Sequence, residues 1–151
     1  MGMMPRFLDL VDLDMFIVAM PYTLLDQDVL DAEFPRCAEH GVGIVIGAVF
    51  ASGILATGPT ENAFYAYAPA TAEVLEKTRG IEAVCQRHDT PLAAVALQFP
   101  LAHPLVAAII PGAIEPDQVQ ANSQLLRHEI PADLWSELKA EGLLRADAPT
   151  P

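Results

Sequence analysis

The chain has 151 residues, 52% of them hydrophobic and 19% charged. It is long enough for one domain with a sizeable core and too apolar to be disordered. Its formal net charge of −12, from 20 acidic and 8 basic side chains, argues against nucleic acid or an anionic membrane surface as a partner, since both need clustered Lys and Arg.

Near the start, Asp9, Asp12 and Asp14 interrupt any apolar stretch that could serve as a signal peptide. Asp14–Met20 reads as a buried strand ended by Pro21. A helix is expected over Asp28–His40, with Val29, Leu30, Phe34 and Cys37 on one side. Pro35 within it marks a bend or a later start, and Gly41 is its terminator. Val42–Gly47 is a second buried strand. It runs into a small-residue loop, Ala48–Gly58. Thr57–Ala70 is the longest irregular segment, either a lid or a connection packed down by Phe64, Tyr65 and Tyr67.

Thr71–His88 carries the strongest helical pattern, with Val74, Leu75, Thr78, Ile81, Val84 and Cys85 at i, i+3, i+4 spacing. Thr90 as N-cap and Pro91 as first helical residue open a short helix through Phe99. Val106–Ile110 is a third buried strand. Pro111-Gly112 stops it, and Pro116 starts a helix through Val119, Asn122 and Leu125. A last helix spans Pro131–Glu141, with Leu134, Trp135 and Leu138 on one face. Residues 1–145 form the folded part, and Ala146–Pro151 is expected to fray. Gly41–Thr60 and Pro91–Ile114 carry no charge. Their Gly and Pro content suits strand, turn and helix better than a membrane span.

The order is β-α-β-loop-α-α-β-α-α, the α/β class with parallel strands and right-handed crossovers. Three strands alone leave open edges and an uncovered face, so the chain reads as part of a larger wound sheet or barrel. Phe16, Val18, Ile44, Ile46, Ala107 and Ile109 are the expected inner positions, left without cover by three strands.

Cys37 and Cys85 stand in no CxxC or Cys/His metal spacing. As reduced core residues they fit a cytoplasmic protein. His40, His88, His103 and His128 make no H-x-x-x-H or H-x-H pattern, so no metal site is expected. Ser52-Gly53 is not a G-x-S-x-G elbow. Asp26 and Asp28 suit a first helical turn. Tyr22, after the first strand, either stacks on a ligand ring or caps the sheet end. The turn from Val106 through Asn122 has the makings of an anion site, with a strand, a Gly turn and a helix N-terminus. Its alternative is an ordinary βα turn that binds nothing. No complete catalytic apparatus is present.

Four motifs in order, Tyr22–Gln27, Gly47–Gly58, Pro91–Pro100, and Ile110-Pro111-Gly112 with Gln118 and Asn122, resemble the aldo-keto reductases. The similarity runs from about Pro5 to Trp135 and is greatest to the aldose 1-dehydrogenase branch. It implies the C-terminal part of an (α/β)8 TIM barrel, with the three strands as the sixth, seventh and eighth. The family's catalytic Asp, Tyr, Lys and His lie on the first four strands and their loops, so the resemblance assigns no catalytic residue here. It assigns the cofactor half of an NAD(P)-dependent oxidoreductase acting on an aldose or aldehyde. Tyr22 and Phe50 would serve the ring, Ser52 and Gly53 the nicotinamide and diphosphate, and Gly112, Gln118 and Asn122 the adenosine end. The family's 2′-phosphate clamp uses Lys, Ser and Arg. Here Gly112, Ala113 and Gln118 stand in its place, which favours NAD over NADP. The implied partner is the missing N-terminal half of the barrel or a second copy of the chain, and the isolated chain would be inactive. The alternative is a non-catalytic remnant or a self-associating binding module.

Overall fold

The computed structural model describes residues 2–151. The elements run α1 (Met3–Leu8), β1 (Met15–Ala19), α2 (Glu33–Glu39), β2 (Gly43–Gly47), α3 (Ile54–Thr57), β3 (Phe64–Tyr65), β4 (Ala68–Pro69), α4 (Ala72–Arg87), α5 (Leu92–Gln98), β5 (Val106–Ile110), α6 (Pro116–Leu125) and α7 (Ala132–Ala140). Single 3-10 turns cover Asp28–Leu30, Ala51–Gly53 and Pro100–Ala102. β1, β2 and β5 form one parallel sheet in that order, with β2 central. The two-residue strands β3 and β4 pair as a small antiparallel hairpin inside the long loop.

Local chemistry explains the boundaries. Asp28–His40 is not one helix but a 3-10 turn and then α2. Pro35 falls in the first turn of α2, where its missing N–H is one that a helix start leaves unpaired anyway. Thr71 caps α4 by accepting the Val74 N–H at 3.3 Å. The short helix α5 begins one residue later than expected, with Pro91 at its N-cap. Thr90 instead donates to the His88 carbonyl at 3.0 Å.

The helices cover one face of the sheet. Ile44 and Ile46 are fully buried, and Phe16, Val18, Val106 and Ile109 pack with them against Ile81, Val84, Val95, Leu97, Leu134 and Leu138 of the helices. The other face carries Met15 (55% exposed), Ile17 (68%) and Ile110 (52%) around Val45. The expected inner positions Phe16, Val18, Ile44, Ile46 and Ile109 are therefore the helix-covered ones, and the bare face is the opposite set. Strict alternation does not say which side the helices take. It also fails at Ala107, because a register shift pairs Ile44 with Val106 but Val45 with Ala108.

The C-terminal tail also departs from expectation. Leu144 and Ala148 are buried. Arg145 pairs with Asp31 at 2.6 Å and with Asp147 at 2.8 Å. Leu143 lies so close to α4 that a Cβ on Gly80 would stand 2.8 Å from it. The segment after α7 is thus docked rather than frayed. Its apolar residues find a seat that a glycine in the facing helix leaves open. No helix among the described residues is long and apolar enough to cross a membrane.

Candidate functional site

The loop after β2 is strained. Ala48, Ala51 and Ser52 hold φ values of 53°, 48° and 62°, in the left-handed region that side chains other than glycine rarely adopt. Each such residue costs on the order of 1 kcal/mol or more, and such residues cluster where a ligand or a switch needs that backbone. Gly53 follows at φ 99°, where its lack of a Cβ removes the penalty. Short bonds fix the curl, with Ala51 N–H to Ala48 O at 2.8 Å and Gly53 N–H to Phe50 O at 2.9 Å.

Across from this loop stands α6. Glu115 and Gln118 close its start as a reciprocal capping box, with Pro116 as first helical residue. Gln118 Oε1 accepts the Ile114 N–H at 2.6 Å and the Glu115 N–H at 3.3 Å. The free N-terminus that could attract an anion thus has the protein's own Glu115 over it. The far end of α6 is tied down by Gln98 of α5, whose Nε2 donates to Leu125 O at 2.9 Å and His128 O at 2.8 Å. α6 has no fully buried residue, so these polar ties, together with Leu125 packed against the core, hold it in place.

Between them lies a groove of about 680 Å³. The β2 loop and α3 supply Ala48, Phe50, Ala51, Ser52, Gly53, Ala56 and Thr57, and α5 supplies Ala93. The turn after β5 and α6 supply Gly112, Ala113, Ile114, Gln118, Ala121, Asn122 and Leu125. Six of the expected ligand residues, Phe50, Ser52, Gly53, Gly112, Gln118 and Asn122, thus come from distant segments to line one groove. No Asp, Glu, Lys, Arg or His lines it.

Tyr22 does not join them. It is fully buried, its ring 5.1 Å from Phe34, 5.0 Å from Phe99 and 5.4 Å from His103 between centroids. Its hydroxyl bonds to no described residue. Burial first, and Asp147 second, push its phenol well above the ordinary value, so it stays neutral. An aromatic among three ring neighbours gains more from core packing than from facing a loop. Burial likewise lowers the pKa of His103, whose Nδ1 accepts the Leu105 N–H at 3.2 Å. A second cavity, about 510 Å³, sits at the end of β1 beside Met20, Asp26 and Tyr65. Burial raises the pKa of both Asp26 and Tyr65 there. Among the described residues no group of three His, Cys, Asp or Glu side chains could hold a metal ion.

Sequence reasoning missed Ala93, Ile114, Ala121 and Leu125 as groove walls and Gln98 as the tie. The small residues of Ala48–Gly58 carried a signal. A lone Gln in the apolar run Leu92–Phe99 was the signal for Gln98, since a polar group there needs partners.

The comparisons with known proteins agree on one family. The profile of the aldo/keto reductase family matches residues 9–141. The chain is 41% identical over 141 residues to a D-threo-aldose 1-dehydrogenase from a Pseudomonas species, covering 93% of this chain and 42% of that protein. It is 39% identical over 138 residues to a pyridoxal 4-dehydrogenase from Microbacterium luteolum, covering 91% and 40%. Among solved structures it resembles an aldo-keto reductase from Bacillus halodurans in its apo form, with TM-score 0.70 and 26% identity over 97% of this chain and 48% of that one. The holo form of the same protein gives TM-score 0.68. The chain spans less than half the length of each.

Proposed function

The chain belongs to the aldo/keto reductase family, and from that premise we propose that it is the cofactor-binding half of an NAD(P)-dependent oxidoreductase acting on an aldose or aldehyde. In this reading β1, β2 and β5 are the sixth, seventh and eighth strands of the barrel. The single observation that carries it is the groove, where six expected ligand residues converge.

The groove suits a nicotinamide dinucleotide. Its volume falls within the roughly 300–1,000 Å³ usual for ligand clefts, and it is mainly apolar with a few placed polar groups. The Asn122 carboxamide offers paired donor and acceptor groups, the pattern that matches an adenine edge. Gln118 has its oxygen engaged in the cap, so its Nε2 donors are what it can offer a ligand. Phe50 supplies an aromatic wall. When bound, the dinucleotide supplies the hydride chemistry. The residues of this chain hold and orient it, and general acid catalysis at the carbonyl falls to the part of the barrel that the chain does not span.

The exposed sheet face of Met15, Ile17 and Ile110 is where the remaining strands would close the barrel. The same exposure favours a second reading, a module that covers this face with another copy of itself. Purified residues 1–151 should give no NAD-linked oxidation of any aldose. Turnover should appear on co-folding with the first half of a related barrel. Turnover by the 151 residues alone would show the catalytic set to be misplaced.

NAD should be preferred over NADP. A 2′-phosphate needs charge-assisted donors, and the groove has no cation. Gln118→Arg should raise NADP affinity about tenfold, measured by calorimetry, with NAD little changed. Tighter binding of NADP by the unaltered chain, insensitive to this substitution, would remove Gln118 from the adenosine end.

A further inference from the structure

β1 and β5 are the two edges of one parallel sheet, and neither has a further strand beside it among the described residues. An unpaired edge offers a row of N–H and C=O groups to another strand. Met15, Ile17 and Ile110 are exposed on these two strands, on the side away from the helices. The accessible surface is also large for the mass. The chain exposes 8227 Å² at 16.2 kDa, against about 7,450 Å² for a folded monomer of that size. The excess, about 800 Å², is what one partner contributes to an interface of standard size. The central strand adds a constraint of shape. Gly43 and Gly47 alternate with the helix-facing Ile44 and Ile46, so they lie on the exposed side with Val45. A Cβ would meet nothing nearer than 3.7 Å at Gly43 and 3.6 Å at Gly47, and neither holds the positive φ that demands glycine. Nothing within the chain requires glycine at either position, and glycine inside a strand suits close approach from outside.

We infer that the sheet closes on a second copy of this chain about a two-fold axis parallel to the strands, with β5 of each copy beside β1 of the other. This rests on the second reading above, the module that covers itself, and gives it a geometry. Rotation about that axis leaves strand direction unchanged, so two three-stranded sheets join with every strand parallel and both helix layers outside. Both edges of each sheet are paired at once, and the assembly stops at two because the rotation closes. A barrel of six strands is narrower than one of eight. Ala19, Gly43, Gly47 and Ala108 supply the small inward residues that a narrow bore needs, and Met15, Ile17, Val45 and Ile110 fill the rest. Parallel closure also sets the end of β1 beside the end of the second copy's β5. The cavity lined by Met20, Asp26, Glu33 and Tyr65 then gains the second copy's Pro111-Gly112 turn as a wall. Each copy carries a net charge of −12, so the pair forms against a repulsion that salt screens.

The test combines sedimentation of the 151-residue chain at about 20 mM and about 300 mM salt with amide exchange at low and high protein concentration. The expected result is a discrete dimer, several-fold tighter at the higher salt, in which amides of β1 and β5 slow together as protein concentration rises. Ala108→Lys, inward on β5, should return it to monomer with the helix signal of circular dichroism intact. Slowing in β1 alone or in β5 alone would mean that like edges pair. Slowing in neither strand would mean contact through another face, and a ladder of larger species would mean an open chain. Each of these, or a monomer at every concentration, overturns the closure. The cofactor reading is judged separately by calorimetry with NAD, which reads the groove and not the sheet edges.

Discussion

At Ser52, φ of 62° puts a side-chain residue where glycine would be at ease. If the strain serves the groove alone, Ser52→Gly should stabilise the chain by about 0.5–1 kcal/mol, less the added flexibility of the unfolded state. Urea unfolding measures it; a loss of stability would mean that the Ser52 hydroxyl matters to the fold. Gln98 argues the reverse way. Gln98→Ala removes two hydrogen bonds to the end of α6 and should cost about 1–3 kcal/mol. Amide exchange in α6 should speed up while that in α4 does not. That Phe50, Ser52, Gly53, Gly112, Gln118 and Asn122 share one groove was legible in the sequence, because short motifs fix their local backbone. That Tyr22 lies outside it was not, because its position depends on Phe34, Phe99 and His103, three neighbours brought together only by packing.

Among the elements, α4 and α7 are joined at the surface by Arg87, His88, Glu137 and Glu141. His88 Nε2 lies 2.5 Å from Glu137, and Arg87 Nε donates to Glu137 at 2.6 Å. The hydrogen bond from His88 first, then that from Arg87, holds the Glu137 carboxyl below its ordinary 4.5. A lowered carboxylate pKa stabilises the fold above the unfolded value, and that contribution disappears as pH falls through the folded one. The stability difference between the unaltered chain and Glu137→Gln, from urea midpoints, should therefore be full well above the ordinary value of 4.5 and shrink as pH falls below it. A difference independent of pH would show that the ion cluster does not dock α7. The three strands and the long helices were readable from periodicity, since a helix stripe and a buried run are local patterns. The docked tail was not. It depends on Gly80 leaving room for Leu143 and on Arg145 finding Asp31, contacts between segments far apart in sequence.

For the whole molecule, the open sheet decides behaviour in solution. Met15, Ile17 and Ile110 stand more than half exposed on one face, and β1 and β5 each present an edge with no strand beside it among the described residues. The isolated chain should associate at micromolar concentration, and Ile17→Lys should shift it toward monomer without lowering its helix content. Sedimentation and circular dichroism check both. A stable monomer in the unaltered chain would mean that three strands suffice. That the sheet is incomplete could be read from the strand count. Which face is bare could not, because alternation fixes the two sides only relative to each other.

The central place of β2 sets an order of events in folding. Its pairing with β1 joins segments separated by little more than α2, whereas its pairing with β5 must wait for the hairpin, α4 and α5 to find their places. Loop-closure entropy makes the second pairing the slower one. In the isolated 151-residue chain a two-stranded, half-covered unit would therefore form before β5 joins, and the groove, which needs the turn after β5 for one wall, would form only after that. Substitutions at the β2–β5 seam should slow the gain of ligand binding more than the gain of helix signal, so the two probes would separate in time.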